Sequence, residues 1–136
     1  MTLEQKINAF LNGQPHAVVG ASTNRDKYGN KVLRTYIQAD RPVFPINPRA
    51  TEIEELTAFA DLSSVPQDIH GVSIITPPAI TEKVVEEAGR LGIKHLWMQP
   101  GAESEAAVSR AEELGINVIG GDACLLVVLG FRESSS

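Results

Sequence analysis

The sequence predicts an α/β protein: a doubly wound, mostly parallel sheet of five strands with helices on both faces. Three observations predict it. Apolar runs of strand length alternate five times with stretches whose apolar residues recur at helical spacing. The connections are short and end in Gly or Pro, so successive strands run parallel and are joined by right-handed crossovers. The chain has 136 residues, 43% of them apolar and 21% charged. That is the make-up of one ordinary folded domain, residues 1–136, burying roughly 70% of its unfolded surface.

The elements follow in order. Leu3, Ile7, Phe10 and Leu11 fall at helical spacing and predict a short N-terminal helix. Ala17-Val18-Val19-Gly20 is an apolar run closed by glycine, a buried first strand. A polar loop, Ala21–Lys27, leads to a helix striped by Val32, Leu33, Tyr36 and Ile37. Pro42–Ile46 is the second strand, stopped by Asn47-Pro48. Residues 49–70 carry only short apolar pieces and a turn near Val65-Pro66. Gly71–Thr76 is the third strand. Pro77 and Pro78 then stand where a helix begins, because no N–H is needed there. Ile80, Val84, Ala88 and Leu91 give that helix one apolar face before Gly92 stops it. Lys94–Gln99 is the fourth strand, ended by Pro100-Gly101. Ala107, Ala111 and Leu114 mark a helix stopped by Gly115, and Ile116–Gly120 is the fifth strand. The apolar stretch Cys124–Leu129 follows, then a polar Ser134-Ser135-Ser136 end expected to fray.

Composition excludes several classes. A single cysteine makes no internal disulfide, and no histidine stands at zinc-ligand spacing from it, so no metal is expected. No apolar run approaches the roughly 20 residues that cross a bilayer. Met1–Lys6 also lacks the charged start and apolar stretch of a signal peptide, so a cytoplasmic protein without a membrane partner is expected. The net charge of −5 argues against a nucleic-acid partner, but it is unevenly spread. Residues 16–49 hold six basic and two acidic side chains, whereas residues 50–136 hold five basic and fourteen acidic. A cationic stretch in an acidic chain points to a small polyanion.

In an open parallel sheet, ligands bind beyond the carboxyl ends of the strands, where the strand order switches. The segments to inspect are therefore Gly20–Lys31, Asn47–Arg49, Thr76-Pro77, Gln99–Gly101 and Gly121–Cys124. In the first βα turn, Gly20 permits a tight turn, Ser22 and Thr23 offer hydroxyls, and Tyr28-Gly29-Asn30-Lys31 opens the helix. Exposed N–H groups and the positive helix end favour phosphate there, with Arg25, Lys27 and Lys31 close by. The segment is neither the G-x-G-x-x-G fingerprint nor a P-loop. At the end of the second strand a dinucleotide-binding domain usually carries an acid for the ribose hydroxyls. Here Asn47-Pro48-Arg49 offers a cation, which suits an additional ribose phosphate, as in coenzyme A or NADP.

These residues carry a family resemblance. Val19-Gly20-Ala21-Ser22, Gly29-x-Lys31-Val32, Pro45-Ile46-Asn47-Pro48, Ile75-Thr76-Pro77, Leu96–Gly101 and Asp122-x-Cys124 occur in this order. In this the sequence resembles the small free-standing CoA-binding proteins. They are similar to the Rossmann-like CoA-binding domain of the succinyl-CoA synthetase alpha subunit and of ADP-forming acyl-CoA synthetases. The resemblance covers about residues 5–126. It implies that Gly20, Ala21, Ser22 and Gly29–Lys31 hold a pyrophosphate, and that Asn47, Pro48 and Arg49 flank the adenine and 3′-phosphoribose. Thr76 and Pro77 would line the adenosine or the start of the pantetheine arm, and Gln99, Pro100 and Gly101 would border that arm. Two departures stand out: Ala123 replaces a basic residue frequent in the family, and the acidic ending after it is replaced by Leu125–Leu129.

No catalytic residue is expected. The histidine that such synthetases phosphorylate belongs to a separate domain, and His16, His70 and His95 all fall at the strand ends opposite the expected pocket. The expected function is binding of coenzyme A or an acyl-CoA, with a protein partner possible. Two alternatives are an NADP-dependent oxidoreductase or CoA-ligase partner subunit, and a redox-responsive protein whose Cys124 forms a mixed disulfide with CoA.

Overall fold

The computed structural model describes residues 1–133, so the serine end lies outside the described residues. Five strands form one sheet: β1 (His16–Val19), β2 (Val43–Ile46), β5 (Gly71–Ile74), β6 (His95–Met98) and β7 (Asn117–Gly120). Their order is β2-β1-β5-β6-β7, and every pairing is parallel. The helices are α1 (Leu3–Leu11), α2 (Tyr28–Gln38), α3 (Pro78–Arg90), α4 (Glu105–Glu113) and the short α5 (Leu125–Leu129). This is the predicted doubly wound, Rossmann-like architecture.

Both faces of the sheet are covered because alternate strand residues are apolar in both directions. Ala17, Val19, Val72, Ile74, Leu96 and Met98 pack with Val84, Val85 and Ala88 of α3 and Ala107 and Ala111 of α4. Val18, Trp97 and Ile119 point the other way, to Phe10 of α1, Val32, Leu33 and Tyr36 of α2, and Leu125 of α5. Inside this core the Tyr36 hydroxyl meets Ser73 Oγ at 2.7 Å.

Three details differ from the expectations. Ile37 is 39% exposed, leaving Val32, Leu33 and Tyr36 as the buried stripe of α2. Ile80 and Leu91 are 42% and 45% exposed, since α3 turns Thr81, Val84, Val85 and Ala88 to the sheet. Residues 49–70 do hold regular structure, an antiparallel hairpin of β3 (Glu52–Ile53) and β4 (Leu56–Thr57) followed by a 3-10 turn at Leu62–Ser64. The hairpin was hidden because Glu54 and Glu55 occupy the left-handed region that turn-forming Gly or Asn usually signals. The apolar 125–129 stretch is helical.

The amino ends of the strands are closed by histidines. His16, fully buried, donates from Nε2 to the Phe10 carbonyl at 2.8 Å, and His70 Nε2 donates to Ala9 at 3.0 Å. His95 Nδ1 accepts from Asn117, which also donates to Lys6. His70 stacks on His95 with ring centres 4.4 Å apart and meets His16 edge-on at 5.6 Å. His16, His70 and Asn117 thus tie α1 at Phe10, Ala9 and Lys6 across the base of the sheet.

Candidate functional site

The crossovers from β1 and β5 leave in opposite directions, so the order switches between these neighbours. Their carboxyl ends stay tied beyond the strands. Ile75 N donates to Val19 O at 2.8 Å, and Gln99 N donates to Ile74 O at 3.0 Å. Gly20, Ile75–Pro77 and Gln99–Ala102 are thereby held side by side.

The first βα turn is built on two glycines in contact. Gly20 has φ +95°, where an L side chain is strained, and a Cβ there would strike the Ile75 carbonyl. A Cβ on Gly29 would strike the Gly20 carbonyl. The start of α2 can therefore approach the end of β1 only with both residues bare. Lys27, the α2 N-cap, supplies no side-chain bond to the first helical N–H groups. The intervening loop is wound by short polar side chains. Ser22 Oγ accepts from Asn24 N at 3.0 Å, and Asn24 Oδ1 accepts from Asp26 N at 3.0 Å. Asn30, fully buried, donates to Ser22 O at 2.8 Å and to Glu54 Oε2 at 3.0 Å. Its Oδ1 accepts from Arg34 Nε at 2.6 Å. Asn47 joins the second strand end to the first: Nδ2 donates to Ala21 O at 2.9 Å, while Oδ1 accepts from Arg49 N at 2.7 Å.

Two cavities open on this edge and share Ile75, Thr76 and Pro77. One, of about 480 Å³, takes in Gly20, Ala21, Asn47, Pro48 and Arg49, with Ile80, Val84 and Glu87 of α3 and Asp61 beyond. The other, of about 590 Å³, is bounded by Tyr28, Pro100, Gly101, Ala102 and Cys124. Both are within the usual range for small-molecule sites. A cleft of about 580 Å³ at Leu62–Ile69, Leu91 and Ile93 shares no residue with the Gly20 turn.

Tyr28 and Cys124 meet at one side of the second cavity. The Tyr28 hydroxyl lies 2.7 Å from Cys124 Sγ and donates to Gln99 Oε1 at 3.2 Å; the same oxygen accepts from Leu125 N at 2.9 Å. Burial, with the cysteine beside it, holds the Tyr28 phenol above its ordinary range, so it remains a neutral donor. The Trp97 indole N–H donates to Ala123 O at 2.9 Å and so fixes the loop that presents Cys124.

Of the predicted site residues, Gly20, Ala21, Asn47, Pro48, Arg49, Tyr28, Thr76, Pro77, Pro100, Gly101 and Cys124 line one cavity or the other. Ser22, Thr23, Arg25, Gly29, Asn30, Lys31 and Gln99 line neither; Asn30 and Gln99 are fully buried behind the walls. The cationic stretch is dispersed, in contrast to the expectation that the fold gathers it. Arg25 pairs with Glu54 at 3.3 Å, Lys31 with Glu133 at 3.6 Å, and Arg34 is buried beneath Phe131. Arg41 donates to Leu11 O, beside α1. Arg49 is exposed and takes part in no ion pair among the described residues. Sequence reasoning missed Ala102, Asp61, Ile80, Val84 and Glu87 as cavity residues. The i, i+4, i+7 spacing of the last three on α3 was the available signal.

Among the described residues no helix is long and apolar enough to cross a membrane. Residues 15–130 match the profile of a family described as "CoA binding domain". An ADP-forming acetate–CoA ligase of Methanocaldococcus jannaschii is 31% identical over 78 residues, 57% of this chain but 11% of the ligase. The chain thus spans about a tenth of that relative. A conserved hypothetical protein from Pyrococcus furiosus superposes with a TM-score of 0.80 at 35% identity, covering 85% of this chain and 99% of that one. A dinucleotide-forming acetyl-coenzyme A synthetase from Ca. Korarchaeum cryptofilum, solved with phosphate and ADP, superposes with a TM-score of 0.76. It is 29% identical, over 85% of this chain and 27% of its own. None of these likenesses supports the NADP alternative.

Proposed function

This chain belongs to the CoA-binding domain family, and on that premise we propose that it binds coenzyme A or an acyl-CoA at the carboxyl edge of its sheet. The observation that carries the reading is the pair of cavities joined at Ile75–Pro77 beside the bare Gly20–Gly29 turn. Their chemistry fits the two halves of the ligand. Backbone N–H groups at the uncapped start of α2 receive the pyrophosphate, and the positive helix end favours its charge. Arg49, without a carboxylate partner among the described residues, faces the 3′-phosphate. The adenine enters the cavity floored by Ile80 and Val84, and the pantetheine arm crosses Ile75–Pro77 into the cavity of Tyr28 and Pro100–Ala102. The histidines take no part, since they hold α1 at the opposite ends of the strands.

Titration calorimetry with CoA, acetyl-CoA and NADP tests this. Saturable heat with the two CoA compounds is expected; no heat with CoA alongside clear binding of NADP overturns it. The longer relatives favour a related reading, in which the bound acyl-CoA is handed to a ligase partner. Incubation with ATP, CoA and carboxylic acids, with and without cell extract, separates simple binding from turnover.

One contact favours a second reading. Cys124 Sγ lies on the cavity that takes the thiol arm, 2.7 Å from the Tyr28 hydroxyl. Its thiolate would attack the disulfide of oxidised CoA, forming a mixed disulfide and releasing one CoA thiol. Intact mass after exposure to oxidised CoA, compared with Cys124→Ser, decides it: an unmodified wild-type chain ends the redox reading.

A further inference from the structure

We propose that Glu87 selects the base of the bound nucleotide by accepting a hydrogen bond from the exocyclic amine of adenine. The inference rests on the binding reading above and concerns the cavity between Arg49 and α3. That cavity has charges of opposite sign in its lining. Arg49, just beyond β2, lines it together with Glu87 and Asp61, and Ile80 and Val84 of α3 add an apolar surface. Ile80, Val84 and Glu87 occupy positions i, i+4 and i+7 of α3, so they form one stripe about 10 Å long, two apolar turns ending in a carboxylate. A flat aromatic base fits the apolar part of the stripe. What meets its far edge is an acceptor.

Both carboxylates are fixed by the serines between them, and each keeps one oxygen uncommitted among the described residues. Ser63 N donates to Glu87 Oε2 at 3.4 Å, and Ser63 Oγ, whose hydrogen goes to Asp61 Oδ1 at 3.0 Å, lies 3.4 Å from the same Glu87 oxygen. Asp61 takes Ser63 Oγ, Ser64 N and Ser64 Oγ all on Oδ1. Those serine bonds hold the Asp61 carboxyl below its ordinary range, so Asp61 keeps its negative charge at neutral pH. An anionic edge repels phosphate. It therefore orients the ligand, with phosphates toward Gly20 and Arg49 and the base toward α3. It also distinguishes bases. Adenine presents an amine that donates to the carboxylate, whereas hypoxanthine puts a carbonyl oxygen at that position and carries its donor, N1–H, at the neighbouring one.

Calorimetry with adenosine 3′,5′-bisphosphate and inosine 3′,5′-bisphosphate tests the assignment. The wild-type chain is expected to bind the adenosine compound about tenfold more tightly, the value of one hydrogen bond to a charged acceptor. Glu87→Ala is expected to bring the ratio close to one. Ser63→Ala, which removes a partner of Glu87 but keeps the carboxylate, is expected to retain the preference. A merely structural Glu87 would weaken both ligands together and leave the ratio unchanged, and that result overturns the proposal. So does a wild-type chain that binds both equally while still binding CoA. Failure to bind CoA at all is a different outcome, and it removes the underlying reading as well.

Discussion

At the residue scale the site depends on what is missing at two positions. Gly20 and Gly29 touch through the Gly20 carbonyl, and a methyl group on either has no room. Gly29→Ala is expected to destabilise the fold by about 1–3 kcal/mol, because backbone and not a flexible side chain must move. It is also expected to abolish CoA binding. Denaturant unfolding and calorimetry on the same preparation check both effects. Arg49 is the opposite kind of residue, exposed and, among the described residues, held only through its backbone N–H on Asn47. Arg49→Ala is expected to leave stability unchanged and to weaken CoA about tenfold, from the loss of one charge-assisted contact. Dephospho-CoA, which lacks the 3′-phosphate, is expected to bind the variant and the wild type alike. The glycines were legible in the sequence as turn residues. That they oppose each other was not, since eight residues separate them and only the packing of α2 on β1 brings them together.

At the element scale, α1 is held by titratable groups. His16 donates to Phe10 O from Nε2, so its protonated nitrogen is the one already paired, and Nδ1 is buried with no partner among the described residues. Adding a second proton would bury a charge beside His70, His95 and Arg41, and burial is the largest cause that lowers its pKa from 6.5 to about 4. Burial likewise lowers His95, with His70 adding to it. The unfolded chain therefore binds more protons than the folded one between pH 6.5 and about 4. Stability is full above that window and falls as pH falls through it, on the order of 3 kcal/mol for His16. Unfolding free energies measured from pH 7 to pH 4 are expected to show this slope, and His16→Phe is expected to flatten it. Sequence spacing placed each histidine at the amino end of its strand. Their stacking across β1, β5 and β6 follows from strand order, which the spacing does not contain.

At the scale of the whole molecule, the parallel sheet gathers ligand-side loops at one edge and α1 with its histidine clasp at the other. Hydrogen exchange with and without CoA is expected to show protection at 20–31, 75–77 and 99–102 and none at 12–15 or 68–71. Protection confined to the histidine end would contradict the site. The alternation of apolar runs with helical stripes was enough to establish the α/β class and the parallel connections, because each strand and helix buries a face whose period is written locally. The turn at Gly20, the strand stops at Asn47-Pro48 and Pro100-Gly101, and the family motifs were legible for the same reason. The hairpin at 52–57 was not, since its turn uses Glu54 and Glu55 in a conformation their side chains do not advertise. Nor was the fate of the cations. Their number in residues 16–49 is a property of the sequence, but Arg34 beneath Phe131, Lys31 on Glu133 and Arg25 on Glu54 are pairings across the fold. Local periodicity thus determined which elements form and where the chain turns. Only tertiary structure decided which charges remain free and which α3 residues face the cavity, because those depend on distances between segments that the sequence keeps apart.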